Sequence, residues 1–358
     1  MTKKQILKIT AFIALFIWLL ISVTYVLRMN GDVKDRFTGF YALKKDSVDT
    51  VIIGSSPVYP CYSAPKIWGE TGNPTYLIST NMQRPISDVY LVKEIEKTQS
   101  PKLYVFEMRM YTAREEDLTS NMAHTREVTD NLKYSLNRVQ AINAMVDDPS
   151  ERLSYYFDIF KYHSNWKTLF LWSQLRDFTY SYPDDMEGYV FANEVGPTTA
   201  PDVSDVTEAT PIDDTQDKCL TELLEYLKAN NLNALFIVTP YEIDEEKKAN
   251  YNYIEGVVNG YGYNFLDMND YYSEIGIDFG TDYGDYGNHT NALGSEKVTA
   301  FFEKYLQDNY DFEDKRGNES YKAFDDSYQL YLAELENQKK IINDKIENKE
   351  WNDLESED

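Results

Sequence analysis

Histidine and cysteine are scarce in this chain. Three histidines and two cysteines, Cys61 and Cys219, stand among 358 residues. Two cysteines cannot build a disulfide-stapled scaffold or a four-cysteine zinc site. Three histidines leave few candidates for a general base at neutral pH. Basic residues are also in deficit: 35 Lys and Arg face 60 Asp and Glu, a formal net charge of −25. A surface this acidic repels phosphate backbones, so no nucleic-acid partner is expected. What is plentiful is apolar and aromatic. The chain is 42% hydrophobic and 15% aromatic, with 30 Tyr. That suffices for a sizeable core and excludes wholesale disorder.

The charge is unevenly spread. Residues 1–30 carry Lys3, Lys4, Lys8 and Arg28 and no acid, so the total of −25 divides into +4 here and −29 on the remainder. Between Lys8 and Arg28 the run from Ile9 to Leu27 is free of charge. As a helix it spans about 28 Å, close to the hydrocarbon thickness of a bilayer. The N-terminal lysines favour a cytoplasmic N-terminus and an extracytoplasmic remainder. A cleaved signal peptide would have a shorter apolar region and a small-x-small site. Here Tyr25 and Leu27 precede Arg28, Met29 and Asn30. The expectation is a single-pass signal anchor over residues 1–30, in contact with lipid through residues 9–27. Cys61 and Cys219 could pair in an oxidising compartment, but two buried free thiols is the reading preferred.

Five short apolar runs predict buried parallel strands: Asp49–Ile53, Thr75–Ile78, Lys102–Glu107, Ala234–Val238 and Tyr263–Asp267. Strands covered on both sheet faces read as near-continuous hydrophobic runs. Helical spacing recurs between them at Ile86–Lys97 and Cys219–Lys228. The alternation predicts an α/β fold, a doubly wound, flavodoxin-like parallel sheet of about five strands with helices on both faces. It breaks over an insertion at about residues 111–215. That stretch has helical patterns at Asn131–Met145, Glu151–Tyr162 and Trp166–Phe178, then a segment rich in Pro, Thr and Asp, Pro183–Thr215. Such an insertion carries specificity or lies over a site. Thr290–Asp308 reads as a closing helix. Residues 319–358 form a charged helical tail that packs back on the domain of residues 31–318 or meets a partner.

Two segments are candidates for chemistry. Gly54-Ser55-Ser56 follows the first strand, at the carboxyl edge where open α/β sheets bind ligands. A serine there could be a nucleophile beside free backbone N–H groups. The plainer alternative is that Ser55 or Ser56 caps a helix. The second segment, Asp278–Asn291, presents His289 with Asp282 and Asp285 just upstream. A histidine acting as general base needs a carboxylate on Nδ1 to hold its tautomer. A helix cap, or a cation loop of Asp278, Asp282 and Asp285, is the alternative. His124 and His163 lie in the insertion without a partner pattern.

Together these blocks resemble the SGNH/GDSL hydrolase superfamily, over roughly residues 46–107 and 233–305. Gly54-Ser55-Ser56 is similar to its Gly-Asp-Ser block, with Ser for Asp, as in a branch of membrane-anchored envelope proteins that assist polysaccharide or teichoic-acid acylation. His289-Thr290-Asn291-Ala292-Leu293-Gly294 is similar to that branch's His-x-Asn-x-x-Gly run, and the stretch Lys102–Arg109 resembles its third strand. The resemblance implies Ser56 as nucleophile, His289 as base and Asp285 as the acid, with Asp282 as the alternative acid. Asp285 stands four residues before His289, where the family has its Asp three before. The family's oxyanion Gly and its Gly-x-Asn block are not matched, and Asn81 is the candidate for the oxyanion role. The activity implied is an acyl-esterase or O-acyltransferase on acyl, above all acetyl, esters of an envelope glycan. No cofactor or metal is expected. A multi-pass membrane O-acyltransferase is the implied partner. The alternative is a catalytically degenerate module that binds glycan or a partner.

Overall fold

The computed structural model describes residues 1–28, 31–168 and 181–352. Most of the Trp166–Phe178 pattern lies outside them.

Five strands form one parallel sheet: β1 (Thr50–Gly54), β2 (Thr75–Ser79), β3 (Leu103–Glu107), β4 (Ala234–Val238) and β5 (Asn264–Asp267). Their order is β2-β1-β3-β4-β5. The apolar runs become strands because both faces of the sheet are covered. Val51 and Ile53 of β1, with Tyr104, Phe106, Phe236 and Val238, point into one core layer. Ile52, with Leu103, Val105, Leu235 and Ile237, points into the other. Side chains alternate across a strand, so a run apolar at every position needs a core on each side. Each such side chain contributes about 1.5–3 kcal/mol by leaving water.

The first layer is closed by helices Asp32–Ala42, Asp88–Ile95, Asp214–Ala229 and Glu245–Tyr261. The second is closed by Val58–Cys61, Ala292–Asn309 and Lys322–Asn348. The helix Glu245–Tyr261 is hard to read in sequence. Its buried face is Lys248, Ala249, Asn250, Tyr251, Ile254 and Val258, in which Lys, Asn and Tyr blur the apolar stripe. The C-terminal helix packs back on the domain, burying Phe324, Tyr331, Leu335 and Ile342, and Asp325 accepts the Trp68 indole N–H at 2.9 Å.

The insertion differs in detail from its sequence pattern. Residues 131–135 lie outside the helix Leu136–Met145, which Ser135 caps through the Arg138 N–H. The Glu151–Tyr162 pattern splits into Pro149–Tyr156 and Ile159–Tyr162. Between them Asp158 is buried and ion-paired to Arg28 at 2.5 Å.

The N-terminal helix, Lys3–Leu27, is long and apolar enough to cross a membrane. Phe12, Phe16 and Trp18 stand exposed on it, whereas Tyr25, Val26 and Leu27 are buried against the domain. Its last turn is tied down by a hydrogen bond between the Tyr25 and Thr38 hydroxyls, 3.1 Å.

Both cysteines are free and buried. Burial in apolar surroundings pushes each thiol up to about 12.

Candidate active site

The strand order reverses direction between β1 and β3, so the loops after these strands leave on opposite faces and open a crevice at the sheet's carboxyl edge. Ser56 stands there, two residues beyond β1. Ser55 is buried and serves structure: its Oγ accepts the Gln83 N–H at 3.1 Å, tying the turn after β1 to the loop after β2. The helix that follows Ser56 is only Val58–Cys61. One turn has little macrodipole to offer an oxyanion.

The histidine loop begins beyond β5 and crosses the sheet edge to reach Ser56. Loops after the intervening strands carry it. Glu242, after β4, donates its N–H to Gly287 O at 2.8 Å. Arg109, after β3, donates from Nη1 to Asn288 O at 2.9 Å and Asn288 Oδ1 at 2.8 Å. From the other side, Gly196 exchanges backbone hydrogen bonds with Tyr283 and Tyr286. A Cβ on Gly196 would stand 2.5 Å from the Tyr286 nitrogen, so only glycine lets this strap run flush with the loop. The Pro183–Thr215 segment therefore buttresses the histidine loop in its middle part.

The helix Ala292–Asn309 then fixes the distance. Ser295 and Thr299 both donate hydroxyls to Cys61 O, at 2.9 and 3.0 Å, and Thr299 Oγ1 accepts the Ser63 N–H at 3.0 Å. These bonds clamp the base of the histidine loop to the turn that carries Ser56.

The outcome is a chain of three side chains. His289 Nε2 lies 2.8 Å from Ser56 Oγ, and His289 Nδ1 lies 2.6 Å from Asp285 Oδ2. Asp285 Oδ1 also accepts the His289 backbone N–H at 2.5 Å. An ionised carboxylate only accepts, so Nδ1 carries the proton and Nε2 is free to accept from the serine hydroxyl. The four-residue spacing has a local cause. Tyr286 (φ 57°) and Gly287 (φ 92°) are both left-handed, and the extra residue curls the turn until Asp285 reaches the backbone nitrogen and Nδ1 of His289. His289 and Asp285 keep 27% and 25% of their side-chain surface in solvent, so the group is open to a substrate.

Asp282 is elsewhere. It is buried, and its Oδ2 accepts from Lys297 Nζ at 2.6 Å and from the Asp278 N–H at 2.7 Å. Asp278 Oδ1 accepts the Gly280 N–H at 2.8 Å. The three aspartates thus face separate partners, and among the described residues no three His, Cys, Asp or Glu side chains converge as metal ligands. His124 faces Glu127 at 3.9 Å, and His163 Nδ1 contacts Phe160 O at 3.1 Å, both away from Ser56.

Donors for an oxyanion are few. The Ser56 N–H has no partner among the described residues. Pro57 follows and has no N–H to add. Asn81 is already engaged: its backbone N–H and its Nδ2 both donate to Glu127, at 2.7 and 3.2 Å, while its Oδ1 accepts from the Tyr59 hydroxyl at 2.9 Å.

Sequence reasoning assigned no role to Arg109 and Glu107. Glu107 is fully buried beside Gly54, and its carboxylate accepts the N–H groups of Arg109 and Thr239 at 3.2 and 3.4 Å. Burial raises its pKa, and the Arg109 charge opposes the rise. The Arg109 guanidinium lies 3.8 Å over the Tyr241 ring. Its signal was two charges within an otherwise apolar strand end.

No family model matches the chain, and no curated protein matches it. Among solved structures, it is similar to one from Bacteroides fragilis described as a "putative acylhydrolase". The identity is 11%, the match covers 78% of this chain and 99% of that one, and the TM-score is 0.37. A likeness this distant does not speak to activity.

Proposed function

We propose that this chain is a membrane-anchored serine acyl-esterase or O-acyltransferase, acting outside the cytoplasm on acyl esters of a cell-envelope polysaccharide. One observation carries the chemistry: a serine hydroxyl, an imidazole and a carboxylate in hydrogen-bond succession, Ser56–His289–Asp285. In this reading His289 takes the Ser56 proton as Oγ attacks the ester carbonyl, and Asp285 stabilises the imidazolium that forms. The Ser56 N–H faces the developing oxyanion. The alkoxide leaves with the proton from His289, and the acyl-enzyme passes its acyl group to a sugar hydroxyl or to water. The glycan, the location and a multi-pass acyltransferase partner come from the sequence resemblance and from the apolar N-terminal helix.

The test is labelling of the full chain in detergent by a fluorophosphonate, with hydrolysis of an aryl acetate in parallel. Wild type should react at Ser56, and Ser56→Ala should neither label nor turn over while its circular dichroism stays unchanged. Equal turnover by Ser56→Ala would refute the serine mechanism.

A second reading is a non-catalytic binding module. Its support is the short supply of oxyanion donors: Pro57 after the serine, and Asn81 spent on Glu127. Absence of any fluorophosphonate adduct on folded wild type favours it.

A further inference from the structure

A cavity of about 550 Å³, lined in part by Tyr59 of the turn that carries Ser56, is not used by the mechanism above. It is walled by the end of the N-terminal helix, the helix Asp32–Ala42, the loop after β2 and two helices of the insertion. Its lining carries five cationic side chains, including Lys34, Arg36 and Lys161, in a protein whose net charge is −25. Three carboxylates also line it, and two are held by other residues of the wall, one of them the cation Arg126. Glu127 accepts from both Asn81 donors, and Asp130 accepts from the Tyr162 hydroxyl at 2.7 Å and pairs with Arg126 at 3.5 Å. The third, Asp32, faces solvent.

Arg36 is the residue that calls for a ligand. It is 1% exposed and lines the cavity. Its Nε donates to Ser79 O at 3.0 Å, and its guanidinium lies 4.2 Å over the Tyr59 ring. Nη1 is buried and meets no acceptor among the described residues. The nearby acid Asp184 is turned to the backbone N–H groups of Met186 and Gly188, each at 3.0 Å. Burial lowers the pKa of Arg36, and the neighbouring Tyr59, Asp32 and Asp184 only partly oppose that fall. A guanidinium presents a planar fork of donors that fits a carboxylate or phosphate in two bonds. Leaving such a group buried and unpaired is costly, and a bound anion removes that cost.

Ser56 is not in the cavity's wall, but two neighbours of the serine turn are. Tyr59, in its wall, stands three residues beyond Ser56. Asn81, also in its wall, begins the loop whose Gln83 N–H binds Ser55 Oγ.

We infer that the Arg36 cavity holds an oxyanion, a phosphate or carboxylate, carried by the molecule whose ester Ser56 attacks. That the anion belongs to the substrate rests on the esterase reading; that the cavity binds it does not.

Isothermal titration calorimetry on the full chain in neutral detergent tests this with glycerol 1-phosphate, glucuronate and dihexanoyl-phosphatidylglycerol. At least one should bind wild type with a Kd below about 1 mM, and Arg36→Met should weaken it at least about tenfold. Binding of the two phosphates points to a phosphate, in lipid form if the lipid binds tighter; binding of glucuronate alone points to an acidic sugar. Should Arg36→Met fail to fold, Arg36→Lys, which keeps charge but loses the fork, is read in its place. No binding of any probe to wild type, or equal binding by the folded variant, overturns the inference. Ser56→Ala should bind the same probe as wild type. Binding without fluorophosphonate labelling leaves the cavity standing and removes the esterase reading, while labelling without binding does the reverse.

Discussion

Replacing Asp285 by Asn isolates the carboxylate from the rest of the site. The shape is almost unchanged, but two things are lost. The first is the charge that faces the imidazolium. At about 4 Å between charge centres and an effective dielectric of about 20, the attraction is about 4 kcal/mol, or a factor of about a thousand. Asp285 and His289 are 25% and 27% exposed. Solvent screening therefore trims this to about a hundredfold or somewhat more. The second loss is the tautomer. An Asn amide can donate to Nδ1, which puts the proton on Nε2 and blocks acceptance from Ser56; in serine proteases the combined cost is about 10⁴. The expected fall in kcat/KM for an aryl acetate is therefore about 10² to 10⁴, at unchanged Tm within a few degrees. Asp282→Asn is the control, since Asp282 pairs with Lys297 rather than His289. A kcat/KM for Asp285→Asn within about threefold of wild type would refute the assignment of the acid.

Further outcomes follow from packing and titration. Asp88 is buried under the Tyr111 hydroxyl and the Gln83 amide, and burial pushes its pKa up to about 7. Folded Asp88 thus keeps its proton where an unfolded one, near pKa 3.9, has lost it. Its contribution to stability is full below about pH 4 and is lost as pH rises through about 7. Between those limits Asp88→Asn should remove a decline on the order of 4 kcal/mol, read from urea midpoints across that range; parallel curves would contradict it. Deleting residues 319–358 uncovers the surface under Phe324, Tyr331, Leu335 and Ile342, a loss of about 6–12 kcal/mol, as large as a whole domain's stability. The truncated chain should be insoluble or lack a cooperative melt, and a melt like wild type would show that this helix is dispensable. Ellman's reagent should find no reactive thiol in native protein and two after denaturation, since Cys61 and Cys219 are free and buried; none after denaturation would mean a bond between them.

The strands were legible because burial on both faces writes itself into a sequence as unbroken apolar runs, as at Val51–Ile53 and Ala234–Val238. Helices whose buried faces mix Tyr and Asn with apolar residues, such as Glu245–Tyr261, were not. The N-terminal apolar helix was equally plain, because nineteen uncharged residues admit few other uses. Ser56, His289 and Asp285 could be named as candidates from local pattern alone. Choosing Asp285 over Asp282 could not, since both stand upstream of one histidine. That pairing belongs to the left-handed pair Tyr286–Gly287 and to Lys297, which occupies Asp282 from the helix Ala292–Asn309.

The same holds for what sequence reasoning passed over. Arg109 and Glu242 come from the ends of two different strands, and only the parallel order β1-β3-β4-β5 brings them beneath the histidine loop. Asn81 looked available until Glu127, 46 residues on, took both its donors. Arg36 reads as an ordinary polar position on an amphipathic helix until the sheet, Tyr59 and the insertion close around it. Periodicity along the chain determined the sheet, the anchor-like helix and the candidate residues, because those depend on each segment's own burial. The pairings of charge and hydrogen bond were decided by the tertiary structure, because they join residues that local pattern leaves independent.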